Sequence, residues 1–234
     1  MNSSAGFYTE RLYPLQDGIL RIVQELALPF YLTGGTALSR HYFAHRYSED
    51  LDLFVSQDPD FAVHLTKLIS AFEARQGKST FRIRYESVQR FEGFATLHVT
   101  AADGETDLKI DLVNDTVPHY GGFETSPNLG RVDGWRNILS NKLSALSRFE
   151  PKDYADLWVI ARNRSFPWKE LVDEARTKEA GLDPVVIYDL VRSFPQEMIQ
   201  SIRWAVEVDQ NVFLTDLRRL AGDILYMRHN SPIH

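Results

Sequence analysis

Three aspartates pose the first chemical question. Asp50 and Asp52 stand two residues apart in YSEDLDLFV (47–55), and Asp111 stands inside LKIDLVND (108–115). Leu51, Leu53 and Val55 recur at every second position, so the first stretch reads as a strand, and the second is a similarly apolar run. Residues two apart on a strand share a face, so Asp50 and Asp52 point the same way and Glu49 points away from them. If the two strands are neighbours, three carboxylates converge. Such a cluster repels itself unless one member takes up a proton. A hard divalent cation, Mg²⁺ or Mn²⁺, removes that cost. Two such ions held by Asp50, Asp52 and Asp111 would activate an attacking oxygen and neutralise a leaving phosphate. The plainer alternative is an edge strand whose acids face water.

LTGGTAL (32–38), just upstream, reads as a strand, a turn at Gly34 and Gly35, and a new helix. Glycines let the backbone approach a ligand, the following amides suit a phosphate, and Thr36 adds a hydroxyl. A phosphate cradle therefore stands beside the D-x-D strand. Further on, Lys142 lies on a helix that Arg148 closes, and Pro151 opens the next helix, where Asp153 and Asp156 share a face at i, i+3. Either Lys142 or Arg148 pairs with Asp153 or Asp156 across the two helices, or Lys142 meets a triphosphate with Asp156 orienting it. His41 and His45 have the i, i+4 spacing of a zinc pair but lack further ligands; Arg46 sits near the nucleotide or pairs with Glu49. Arg82, Arg84 and Arg90 alternate on one hairpin face, which is either a solvated face or an RNA-phosphate contact.

The elements that must position these residues follow from periodicity. Residues 8–28 and 60–75 read as amphipathic helices, 50–55 as a strand, FRIRYESVQRF and GFATLHVTA as a hairpin, and 114–132 as a long loop, with or without a short strand of its own. Beyond it the pattern is helical: 134–148, 152–162, 168–179, 184–192, 196–207 and 212–228, with Pro151, Pro167, Pro184 and Pro195 near the breaks. The expectation is an α+β domain over 1–132 followed by a helical bundle over 133–234. The 234 residues, 44% hydrophobic and 25% charged, suffice for real cores. There is no cysteine, which excludes disulfides and thiolate metal sites and fits a reducing cytoplasm. No apolar run reaches the roughly 20 residues that span a bilayer, and MNSSAGFYTERL lacks a signal-peptide pattern. The net charge of −6 leaves any contact with nucleic acid to a local patch.

GGTALSRHYFAHRYSEDLDLF (34–54) resembles the signature of the AbiEii/AbiGii-type nucleotidyltransferase toxins, within the polymerase-β-like nucleotidyltransferase superfamily. The resemblance continues into NILSNKLSALSRFEPKDYADLWVI (137–160). It implies a polymerase-β-like core, with Gly34, Gly35 and Thr36 on the nucleotide, Asp50, Asp52 and Asp111 on Mg²⁺, and a lysine and later aspartate at Lys142 and Asp156, where Asp153 competes. Thr36 departs from the serine of many members, and Arg148 is either a ligand contact or a brace. The implied reaction moves NMP from NTP to an RNA acceptor, with a tRNA 3′ end the leading choice, and the implied partner is a separately encoded antitoxin of a type IV toxin–antitoxin or abortive-infection system. Two rivals are a nucleotidyltransferase acting on an aminoglycoside-type antibiotic, which the acidic charge suits, and a non-catalytic nucleotide-binding module.

Overall fold

A computed structural model describes residues 3–76 and 81–232. The chain forms two compact units that interleave along the sequence. The first takes in the chain up to Ala37, Ser48–Val117 and Phe123–Asp133; the second takes in Leu38–Tyr47, Pro118–Gly122 and everything from Gly134. The chain thus leaves the first unit directly after the glycine turn and returns just ahead of Asp50.

In the first unit, α1 (Ser3–Phe7), a π-helical turn (Tyr8–Leu12) and α2 (Tyr13–Glu25) precede β1 (Tyr31–Thr33) and the single turn α3 (Gly34–Ala37). Then come β2 (Leu51–Ser56), α4 (Phe61–Arg75), β3 (Phe81–Ile83), β4 (Gln89–Phe91), β5 (Phe94–Ala101), β6 (Asp107–Asp115), β7 (Phe123–Ser126) and β8 (Gly130–Asp133). The strands order as β3-β5-β6-β2-β1-β8-β7, with β4 also on β5. β2–β6 and β1–β8 pair in parallel and the rest antiparallel. The fold is α+β.

One sheet face is apolar. Leu51, Leu53 and Val55 of β2, Leu108, Ile110 and Leu112 of β6, and Ala95, Leu97 and Val99 of β5 are all buried. The helical stripes expected for 8–28 and 60–75 supply its cover: Leu20 and Val23 of α2 line a cavity of about 250 Å³ with Leu32 and Leu53, and Phe72 of α4 packs edge-on against Phe81. Burying such side chains is the dominant favourable contribution to folding. The opposite face carries the aspartates.

Two sequence expectations need correction here. FRIRYESVQRF is not one strand: β3 and β4 bracket a 3₁₀ turn (Tyr85–Ser87), and each pairs with a different end of β5. Arg82 then stands opposite Thr100 and Arg90 opposite Ala95, on opposite faces of the sheet, while Arg84 pairs with Glu86 and Asp107. The segment 114–132 contains the β7–β8 hairpin, with Gly130 at a positive φ of 75° that suits a glycine.

The second unit is helical. It contains α5 (Trp135–Ala145), α6 (Pro151–Asn163), β9 (Phe166–Pro167), α7 (Trp168–Lys178), α8 (Pro184–Arg192), α9 (Gln210–Leu225) and β10 (His229–Asn230), with β9 and β10 paired. Pro151 and Pro184 sit at the first position of their helices, where no amide is needed. Asp183 and Asp209 cap α8 and α9 by accepting from two backbone amides each. Trp158, Trp204 and Phe213 form a mutually edge-to-face cluster. The helix expected over 196–207 is only a 3₁₀ segment, Gln196–Ser201. The following backbone bonds elsewhere: the Tyr47 amide donates to the Arg203 carbonyl (2.8 Å) and the Ala205 amide to the His45 carbonyl (3.0 Å). The chain excursion Leu38–Tyr47 is thereby stitched into the helical unit.

Candidate active site

The sheet register places the acids. Asp52 and Asp111 are direct partners across the parallel β2–β6 pair, so their side chains leave the same face. Thr33 stands beside Asp52 and Thr96 beside Asp111, which makes a polar row across the sheet: Thr33, Asp52, Asp111, Thr96. Asp50 precedes β2 by one residue and shares the face of Asp52. Leu51 and Leu53, between and after the acids, are buried on the other face and anchor the strand. The alternation of β2 therefore directs its acids away from the core.

The carboxylates converge on a cation that the chain itself supplies. Lys109, two residues before Asp111 on the same strand face, places its ammonium 2.6 Å from the Asp111 carboxylate. Partial burial pushes the Lys109 pKa down, but Asp111, followed by Asp50 and Asp52, outweighs it and holds the ammonium charged. Thr96 donates a hydrogen bond to the other Asp111 oxygen. Asp111 is thus fixed from both sides. The i, i+2 spacing of Lys109 and Asp111 was visible in the sequence and would have identified the lysine.

The glycine turn abuts this row. Gly34 has φ +68°, a region costly for residues with a Cβ, and a Cβ there would collide with the Asp52 carboxylate. Two requirements, backbone conformation and close approach to an acid, coincide at one residue. Gly35 follows, buried in α3. Thr36 is buried, and its hydroxyl donates to the Asp50 carbonyl and lies 2.9 Å from the Ser48 hydroxyl. The turn is therefore tied to the backbone that leads into the acids. Glu49 accepts from the Tyr8 hydroxyl at 2.6 Å.

Does this site suit a divalent metal? Among the described residues, no three His, Asp or Glu side chains are closed into a metal cage. The donor chemistry nonetheless fits: hard carboxylate oxygens, two of them adjacent in register, gathered around a cationic group, with no thiolate in the chain.

The remaining expected residues lie in the second unit. Asp156 of α6 is fully buried among cations. Arg46 grips it through two hydrogen bonds, Nε to Oδ1 at 2.7 Å and Nη2 to Oδ2 at 2.8 Å. His45 Nε2 lies 2.9 Å from Oδ1, and Lys142 Nζ 2.9 Å from Oδ2. Lys142 also donates to Asp153 at 2.5 Å, so both aspartates of the i, i+3 pair hold the same lysine. Burial by itself would raise the Asp156 pKa. The Arg46 and Lys142 charges, together with hydrogen bonds from His45 and Arg46, overcome this and hold the carboxyl well below its usual range. Burial likewise lowers the His45 pKa, against the pull of Asp156. The inter-helix pairing reading of Lys142 is what the geometry contains. Arg46 binds Asp156, a partner 110 residues away that local spacing cannot reveal. The His41–His45 zinc pair does not form, because Ala44 turns to φ +50° and His45 leaves the helical turn for Asp156. Arg148 is exposed at the end of a 3₁₀ turn (Leu146–Arg148).

Comparison with known proteins bears on the fold and the family. A search of curated proteins finds no match. Two solved structures share the fold: a putative nucleotidyltransferase from H. pylori (TM-score 0.62, 18% identity, covering 93% of this chain and 96% of that one) and JHP933 from Helicobacter pylori (TM-score 0.60, 17% identity, 97% and 94%). The family model for the nucleotidyl transferase AbiEii toxin of type IV toxin–antitoxin systems matches residues 19–223. By that match, spanning the glycine turn, all three site aspartates and the buried Asp156 cluster, the chain belongs to the AbiEii nucleotidyltransferase toxin family.

Proposed function

We propose that the protein transfers a nucleoside monophosphate from an NTP to an RNA acceptor, with a tRNA 3′ end as the leading choice, and releases pyrophosphate. The observation that carries this reading is the register of Asp52 against Asp111, with Gly34 packed against Asp52. The Gly34–Gly35 turn, lacking side chains, accepts the triphosphate close to the backbone. Asp50, Asp52 and Asp111 would hold Mg²⁺ or Mn²⁺, which when bound neutralises phosphate charge and lowers the cost of the displacement. Asp111, oriented by Thr96 and Lys109, takes the proton from the acceptor hydroxyl. The acceptor oxygen bonds to the α-phosphorus as the bond to the β-phosphate oxygen breaks. Positioning and charge stabilisation supply most of the rate.

Lys142 and Asp156 act within their own cluster: Asp156 is a positioning residue that holds Lys142, Arg46 and His45, and so holds the excursion between the glycine turn and Asp50. Arg148, exposed, is free of the cluster and is kept as the candidate nucleotide contact. The family role implies growth inhibition relieved by a separately encoded antitoxin. A second reading, transfer to a cationic aminoglycoside-type antibiotic, draws on the net charge of −6. Incubation with Mg²⁺, each of the four labelled NTPs and total RNA tests the choice. Label on RNA with pyrophosphate release is expected. Label on the antibiotic alone selects the second reading, and label on neither contradicts both.

A further inference from the structure

We propose that Phe91 and Phe94 form a stacking platform for the unpaired 3′-terminal base of the RNA acceptor; the proposal rests on the transfer reading above. Beside the polar row lies a second row on the same sheet face. Tyr31 pairs with Phe54, Phe54 with Val113, Val113 with Phe94, and Phe94 with Phe91. Exposure rises along it, from 2% at Tyr31 to 63% at Phe91. The two phenylalanine rings at its open end are stacked, 6.2 Å apart and 19° from parallel. They face each other across the Glu92–Gly93 turn, whose Gly93 has φ +73°, so the pair is fixed at the hairpin tip. Phe91 is exposed and Phe94 half-buried beneath the turn, so the pair offers a flat aromatic face that suits a base.

Strand order gives the platform its occupant. The glycine turn follows β1 and packs against Asp52 of β2. Asp111 lies on β6, the next strand, and Thr96 and Phe94 lie on β5, beyond it. The acids therefore stand between the triphosphate cradle and the aromatic pair. An in-line displacement places the leaving pyrophosphate and the attacking hydroxyl on opposite sides of the phosphorus. With the triphosphate on the β1 side, the acceptor approaches from the β5 side. Phe94 is two residues from Thr96, or roughly 7 Å along the strand, a span suited to a ribose between its base and Asp111. The exposed Arg82, opposite Thr100, lies on this same face beyond Thr96 from Phe94 and suits the strand's phosphates; Lys109, opposite His98 on that same side, stays on Asp111.

The test is a binding cycle that needs no turnover. Binding of a short single-stranded RNA is measured by fluorescence anisotropy for the wild type, Phe91→Ala, Phe91→Tyr and Phe91→Leu, each against an RNA with a normal 3′ end and one whose terminal nucleotide is abasic. Phe91→Ala should weaken binding roughly 5- to 100-fold. Phe91→Tyr should keep it, and Phe91→Leu should not restore it. The abasic RNA should bind the wild type as weakly as the normal RNA binds Phe91→Ala, with no further loss when the two changes are combined. Additive losses, equal binding by wild type and Phe91→Ala, or no RNA binding by the wild type would each overturn the platform. Pyrophosphate release, read separately, reports on nucleotidyl transfer whatever this cycle shows.

Discussion

Gly34 carries more constraint than any other single position in the site. An alanine there must hold a left-handed backbone, at about 1–2 kcal/mol, and must also displace the Asp52 carboxylate. Gly104 offers a matched control, with φ +73° and open space around its missing Cβ. Gly34→Ala should therefore reduce nucleotidyl transfer at least about tenfold beyond any effect of Gly104→Ala, while both lose similar backbone stability. Chemical denaturation paired with steady-state rates checks this. Equal activities would mean that the approach of Gly34 to Asp52 does not matter to turnover. The three aspartates were legible in the sequence because strand periodicity is local: Leu51, Leu53 and Val55 reveal which way Asp50 and Asp52 face. Lys109 obeys the same period and was equally accessible. Arg46 was not, since nothing near it in the chain indicates Asp156.

At the scale of elements, the buried cluster joins three pieces of backbone: the 38–47 excursion through His45 and Arg46, α5 through Lys142, and α6 through Asp153 and Asp156. Removing the central carboxylate charge takes a buried counter-ion from both Arg46 and Lys142, while Asp153 still faces Lys142. Asp156→Asn should cost about 3–5 kcal/mol, seen as a lower melting temperature of the second unit. A loss below about 1 kcal/mol would mean that the cluster does not hold these elements together. Sequence patterns identified most helices here because apolar stripes and first-position prolines act within one element. They failed at 196–207, where the backbone spends its hydrogen bonds on Tyr47 and His45 instead of on a helix. They also failed at FRIRYESVQRF, whose alternation is real but whose two halves serve opposite ends of β5. Pairing between distant segments decides both cases, and periodicity carries no information about it.

For the molecule as a whole, the depressed pKa values of the buried pair Asp156 and His45 set a direction for stability against pH. The folded state keeps Asp156 ionised and His45 neutral, and the unfolded chain takes up protons at both sooner. Stability is therefore full above the ordinary histidine value of 6.5, declines as pH falls below it because unfolded His45 charges first, and declines again below 3.8 as unfolded Asp156 is protonated. Melting temperature should fall in that order, and Asp156→Asn should shrink the lower step, leaving the share of Asp103, whose carboxyl is held low by the Glu105 and Thr106 amides. A melting temperature unchanged between pH 7 and pH 3 would contradict the assignment. Among the described residues no helix is long and apolar enough to cross a membrane. The chain combines an α+β core with a helical second unit and belongs to the AbiEii nucleotidyltransferase toxin family; the proposed chemistry rests on which acids face the glycine turn.

The most direct test of that claim is Mg²⁺-dependent pyrophosphate release from NTP and RNA by the wild type, Asp52→Asn, Asp111→Asn and Glu49→Gln. Asp52→Asn and Asp111→Asn should each slow release on the order of a thousandfold, while Glu49→Gln, whose carboxylate is held by Tyr8, should stay near the wild-type rate. Release that survives in Asp52→Asn and disappears in Glu49→Gln would contradict the account.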